Sequence, residues 1–257
     1  MSYLVICAVA LFASALTFFS GFGLGTLLLP AFALFFPIEQ AIALTAVVHF
    51  LNNLFKLALV GRHADRNVVL RFGLPAIAAA FLGAWLLTWL AGIAPVFTYS
   101  AFDRSISVMP VELLIGLLLL FFTSLELLPR FRTLSFGTQL MPLGGVLSGF
   151  FGGLSGMQGA LRSAFLSRAG LTKEAFIGTS VLVACLIDFS RIGIYSSSLV
   201  KEGVQLNYSL LAAAVLSAFI GATLGNKYLK KMTMPGIQRM VAIMLFFVAF
   251  GLITGVL

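Results

Sequence analysis

Apolar segments long enough to cross a lipid bilayer follow one another along the whole chain, near residues 3–36, 38–60, 70–90, 110–128, 138–169, 174–196, 207–226 and 237–256. A run of about 18 apolar residues suffices for a helix to traverse a hydrocarbon core about 30 Å thick. The first and fifth runs are far longer than one span needs, and each is interrupted by clustered glycines: "SGFGLG" at residues 20–25 and "SGFFGGLSGMQG" at residues 148–159. Hydrophobic residues make up 61% of the chain and charged ones 9%, against about 25% charged in soluble domains. The chain therefore reads as an all-α integral membrane protein with no soluble domain left over.

The net charge of +8 does not point to nucleic acid, because the basic residues are scattered among short loops with no stripe of interleaved aromatics. Loop Lys and Arg in a membrane protein report orientation. Cys7 and Cys185 lie in apolar runs without neighbouring His or Cys at ligand spacing, so they read as packing residues and not as a metal site or a disulfide. The N-terminal stretch contains an "ASA" that imitates a cleavage site, yet it lacks a basic leader region and reads as part of the mature chain.

The segments fall into two sets of four, giving a first repeat over 1–128, a basic connecting loop at 129–137 and a second repeat over 138–257. Segments one and five correspond through their glycine clusters. Segments three and seven correspond through "AAFLGAW" (79–85) and "SAFIGAT" (217–223). For segments two and six one register pairs Thr45 with Thr179, and the next pairs Asn53 with Asp188 and Lys56 with Arg191. Secondary transporters are commonly built from such halves, with substrate held between them by discontinuous helices.

Two arrangements fit. With eight full spans the repeats are parallel, but then Arg62, Arg66, Arg71, Arg130, Arg132 and Lys201 face the other loop cations across the membrane and neither side is favoured. With segments one and five as re-entrant hairpins, each half crosses three times and the repeats are inverted. All loop cations except Arg104 and Lys201 then share one side, with Lys56 and Arg191 in the membrane. The charge bias favours the second arrangement.

Non-helical backbone is tolerated at membrane depth only where protein buries it or where it lines a polar cavity. Each glycine break also starts a new helical arm, near Thr26 and near Gln158, whose unpaired N–H groups and positive dipole end suit an anion. Gly23, Gly25 and Thr26 in the first half, and Gly153, Ser155 and Gln158 in the second, are thus candidate substrate-binding positions. The competing reading is close helix packing, which is assigned to the glycines of "GATLG" at 221–225.

Segment two presents His49, Asn52, Asn53 and Lys56 on one helical face. In segment six Ser180, Ala184, Asp188, Arg191 and Tyr195 share a face. A charge at a helix centre costs about 2.5 to 3.5 kcal/mol on insertion scales, so such groups face an interior or a water path. Asp188 and Arg191 either line that path or merely neutralise each other. Lys56 is close enough to the span end to snorkel. His49 on segment two and Asp188 on segment six are the candidate proton-coupling residues. Arg162, one turn beyond Gln158, reaches either the basic surface or the anion at the helix start, where its planar fork suits an oxyanion.

The opening "SGFGLGTLLLP" with Pro30, the second opening "GGVLSGFFGGLSG" at 144–156 and the loop "GRHADRN" after segment two resemble the sulfite exporter TauE/SafE family, also called the toluene-sulfonate uptake permease family. The resemblance covers nearly the whole chain. It implies a multi-pass transporter of sulfur-containing anions (sulfite, thiosulfate or organosulfonates) in the bacterial cytoplasmic membrane. The first cluster, "GFGLG", and the arginine in "SGMQGALRSAFL" depart from the family's commoner glycine runs, and members differ in cargo and direction.

The alternatives are an anion channel, a carrier of non-sulfur organic anions and a membrane-embedded enzyme. The last lacks an "HExxH" or "GxSxG" pattern, and no Walker motif offers ATP drive. No catalytic residue, metal or cofactor is therefore expected. The expected partners are a small anion and the lipid bilayer, with no nucleic acid, and a homodimer is compatible with the fold.

Overall fold

The structure is a computed structural model describing residues 1–17, 23–101, 104–127, 135–201, 207–228 and 235–256. The first half comprises α1 (Ser2–Leu16), α2 (Leu24–Ala33), α3 (Ile38–Val60), a single turn α4 (Arg66–Val68), α5 (Leu74–Ala91), strands β1 (Phe97–Ala101) and β2 (Arg104–Val108), and α6 (Pro110–Leu127). The second comprises α7 (Met141–Ser155), α8 (Gly159–Leu166), α9 (Lys173–Lys201), α10 (Tyr208–Tyr228) and α11 (Pro235–Thr254). Among the described residues four stretches are long and apolar enough to cross a membrane: Ile38–His63, Arg66–Ala91, Lys173–Ser197 and Tyr208–Gly225. Shorter apolar helices accompany them at Ser2–Leu16, Leu24–Ala33, Pro110–Leu125 and Leu245–Thr254. Lipid is a sufficient reason for the many exposed Leu, Phe and Trp side chains, such as Phe247, Leu82 and Trp85.

The all-α expectation needs one correction. Phe97–Ala101 and Arg104–Val108 pair as two antiparallel strands, with Tyr99 opposite Ile106 and Thr98 opposite Ser107. β-Branched and aromatic residues favour this pleated form, and the Tyr99 hydroxyl donates to the Thr254 carbonyl at 2.7 Å, tying β1 to the end of α11. A π-helical turn at Val69–Gly73 precedes α5. Pro75 follows, with no N–H to give to the carbonyl of Arg71 and close an ordinary helical bond there.

Small residues set the main helix contacts. A Cβ at Gly145, Gly149 or Gly153 of α7 would overlap the carbonyls of Phe72, Ala76 and Ala80 respectively. Gly221 and Gly225 of α10 meet Leu11 and Ala15 of α1 in the same way, as the "GATLG" pattern leads one to expect. The closest helix pairs are α7 with α5, α1 with α10, α6 with α11 and α9 with α3. Each pair joins a segment from one half to a segment from the other.

In each long glycine-containing segment a helix starts beside the glycines, at Leu24 and at Gly159. Among the described residues α1 ends at Leu16, and Gly23, just before α2, has a left-handed φ of 110° that suits glycine. Leu24 and Leu27 of α2 pack with Ala13 and Val9 of α1. In the second half α7 ends at Gly156, again left-handed with φ 81°. Beyond it α8 returns along α7: Ser148 donates to the Gln158 carbonyl at 3.0 Å, and Phe165 lies against Gly144.

The expectation that Lys56 snorkels is corrected: it is 4% exposed. It follows His49, Asn52 and Asn53 around one face of α3, and that face is covered by the neighbouring helices. Arg162 is likewise buried, at 1% exposure, and so drops out of the loop-charge comparison. Arg130, Arg132, Lys230 and Lys231 lie outside the described residues, as does most of the connecting loop expected at 129–137.

Candidate functional site

The two helix breaks meet. A Cβ on Gly25, in the first turn of α2, would stand 3.4 Å from the Gly156 carbonyl oxygen and 3.7 Å from Cδ2 of His49. One on Gly156 would stand 2.7 Å from Nη1 of Arg191. Glycine at 25 and 156 thus lets the first turn of α2, the left-handed backbone after α7, an imidazole and a guanidinium converge within the protein. The first turn of α2 lies at this junction, and a helix start carries a positive dipole end.

Asp188, on α9 and fully buried, is the hub of the side chains around the junction. Its Oδ2 accepts from His49 Nδ1 at 2.6 Å and lies 3.5 Å from Asn53 Nδ2. Its Oδ1 accepts from Arg191 Nε at 3.0 Å and from Gln158 Nε2 at 3.2 Å, with Arg191 Nη2 at 2.9 Å. With Nδ1–H given to the carboxylate, the His49 ring turns its Nε2 edge toward Gly25. Gln158 passes the network on, because its Oε1 accepts from Arg162 Nη1 at 2.7 Å. Arg162 Nε donates to Ser180 Oγ at 2.8 Å. The side chains of α3, α8 and α9 thus form one buried chain running from Arg162 through Gln158 and Asp188 to His49 and Arg191.

Arg191 Nη1 and Nη2 and Asn52 Nδ2 are buried donors without a hydrogen-bond partner among the described residues, although Nη2 lies 2.9 Å from Asp188 Oδ1. Asn52 is held through its other end, where Oδ1 accepts from Ser14 of α1 at 3.0 Å. Burying ionic groups costs several kcal/mol each even when they are paired. Intramembrane ionisable residues accordingly mark substrate or ion paths.

The structure brings Gly25, His49, Asn53, Gln158, Arg162, Asp188 and Arg191 into one connected neighbourhood. Thr26 lies half-buried in the first turn of α2. Gly23 provides the left-handed entry to that helix, with its Cβ direction filled by the Thr17 methyl. Gly153 lies against the Ala80 carbonyl and is a packing contact, although its own carbonyl accepts from the buried Tyr195 hydroxyl. Ser155 caps the end of α7, donating to Phe151 at 3.0 Å and accepting from the Met157 N–H at 3.4 Å. The Asp188–Arg191 ion pair exists within α9, and Asp188 also reaches across to His49 of α3. Sequence reasoning missed Ser14 and Ser148, whose only signal is a hydroxyl in an apolar run, and Gly156, whose left-handed backbone is visible only in the fold.

A search of curated proteins finds no match to the chain. A family model described as "Sulfite exporter TauE/SafE" matches residues 6–252, almost the full length, so the chain belongs to this family of membrane transporters.

Proposed function

We propose that the protein is a secondary transporter that moves small sulfur-containing anions (sulfite, thiosulfate or an organosulfonate) across the bacterial cytoplasmic membrane, with His49 and Asp188 coupling transport to protons. The observation that carries this reading is the meeting of two broken helices at Gly25 and Gly156, beside Arg191 and the start of α2. Helix starts and an arginine fork favour an oxyanion. A carboxylate bonded to an imidazole offers a place to hold a proton. The expected substrate contacts are the α2 start at Gly23, Gly25 and Thr26, with Asn52, Asn53, Gln158, Arg162 and Arg191. Membership of a transporter family agrees with a carrier and not an enzyme.

The exchange of helix partners between the halves supports an inverted repeat, and the packing of α2 on α1 and of α8 on α7 supports re-entrant hairpins. Alternating access then consists of one half rocking against the other about the junction. A thermal-shift and uptake screen of the purified protein against sulfite, sulfate, thiosulfate, taurine and sulfoacetate tests the cargo, with lactate and phosphate as controls. Preference for the controls overturns the sulfur reading in favour of a carrier of other anions.

A further inference from the structure

The donors around Asp188 are those that an oxyanion would use. Arg191 Nε and Gln158 Nε2 point to one carboxylate oxygen, and His49 Nδ1 and Asn53 Nδ2 to the other. A two-oxygen carboxylate does not satisfy them all, since Arg191 Nη1 beside Gly156 has no partner among the described residues. A guanidinium presents its N–H groups as a fork to a multi-oxygen anion, and a buried N–H left unmet is costly.

We propose that Asp188 is a tethered stand-in for the cargo: the anion displaces the Asp188 carboxylate from Arg191, Gln158, His49 and Asn53, and a third oxygen of the cargo reaches Arg191 Nη1. The inference rests on reading the junction as an anion site. It makes Asp188 a competitor of the cargo and no part of its binding surface. It also gives the site a reason to prefer a three-oxygen group, as in sulfite or a sulfonate, over a carboxylate. The charged groups facing Asp188 are His49 from α3, Arg191 on its own helix and, through Gln158, Arg162 from α8. Two negative groups cannot share these donors without strong repulsion, so the exchange requires Asp188 to leave or to take a proton. In the second case a proton from solution binds His49 Nε2 while the Nδ1 proton passes to Asp188 Oδ2, leaving both side chains neutral.

The test compares binding of methanesulfonate, sulfite, phosphate and acetate by the full-length protein and by Asp188→Asn and Asp188→Ala, using calorimetry and ligand-dependent thermal shifts. Removing the competitor should tighten methanesulfonate about ten-fold. It should also enlarge the anion-induced rise in melting temperature, because Arg191 then lacks its internal counter-charge, and acetate should bind more weakly than methanesulfonate throughout. Equal or weaker methanesulfonate binding by both monodisperse variants overturns the exchange while leaving the transport reading in place. Tightening seen only for phosphate keeps the exchange and overturns the sulfur cargo. Failure of every protein to bind any of the anions overturns both.

Discussion

His49 Nδ1 stands 2.6 Å from Asp188 Oδ2, although 139 residues separate the two along the chain. One residue belongs to α3 and the other to α9, so the bond joins two buried helices that are far apart in the sequence. Proteoliposomes holding the wild-type protein should accumulate the best anion in response to an imposed pH gradient without sodium. His49→Gln and Asp188→Asn should lose that response while retaining exchange of labelled for unlabelled anion. Wild-type response to the gradient in both variants removes this pair from coupling.

The glycines divide by what a side chain would meet. At Gly149 an added Cβ overlaps the Ala76 carbonyl, a backbone contact that can yield only by separating α7 from α5. Gly149→Ala should therefore destabilise the protein by about 1–3 kcal/mol, visible as a lower melting temperature. At Gly25 the nearest atoms are the Gly156 carbonyl at 3.4 Å and the His49 ring at 3.7 Å, so Gly25→Ala should fold. Its added methyl narrows the junction, and anion affinity should fall at near-normal stability. Equal loss of stability in the two variants would show that Gly25 serves packing as Gly149 does.

Gly156 combines both constraints. Its φ of 81° is left-handed, and a Cβ would press on Nη1 of Arg191 at 2.7 Å. Gly156→Ala should cost about 1–2 kcal/mol in backbone strain alone and should also reduce anion binding, a joint loss that measurement of melting temperature and affinity on one sample will resolve.

The helical segments were legible because hydrophobic length and glycine clusters are local properties. The polar face of α3 was legible from the spacing of His49, Asn52, Asn53 and Lys56. The pairing of His49 with Asp188 was not, since it depends on how α9 crosses α3. Neither was the division of the second glycine cluster. Gly145, Gly149 and Gly153 repeat every four residues and pack against α5, while Gly156 alone is left-handed and reaches the junction. Lys56 is buried because the face it shares with three other polar residues is covered, which outweighs its nearness to the helix end. The strand pair Phe97–Ala101 and Arg104–Val108 gives little sequence signal because its strands of five residues are short beside the apolar runs on either side.

Arg162 bridges two elements: Nε donates to Ser180 of α9 and Nη1 to Gln158 at the start of its own helix. Lysine carries the charge but offers one ammonium centre in place of the fork, so it cannot hold both partners at these distances. Arg162→Lys should insert and fold but transport about ten-fold more slowly, as expected for loss of one charge-assisted hydrogen bond. Ser180→Ala, which leaves the Gln158 bond intact, should have the smaller effect. Wild-type transport in Arg162→Lys would exclude the fork as a functional element.

The arms α2 and α8 make a prediction about sidedness. The Phe136 N–H donates to the Ala164 carbonyl at 3.2 Å, and the Phe136 ring stacks on Phe165 with centroids 4.3 Å apart. The residues just before α7 thus sit beside the end of α8. A Cβ at Gly137 meets nothing within 4 Å, and Ser167 is exposed, so both positions accept cysteine. With Cys7 and Cys185 replaced, Gly137→Cys and Ser167→Cys should react with an impermeant maleimide from the same side. By the positive-inside rule the concentration of loop cations predicts that this side is the cytoplasm. At the other extreme Tyr3 bonds to Asn207 and Ser209, placing the start of α1 beside the start of α10. Tyr3→Cys should label from outside the cell, and Arg66→Cys only in inverted vesicles. Eight full spans would instead put Tyr3 and Arg66 on one side and Gly137 and Ser167 on opposite sides, so these four accessibilities decide between a re-entrant and a fully spanning architecture.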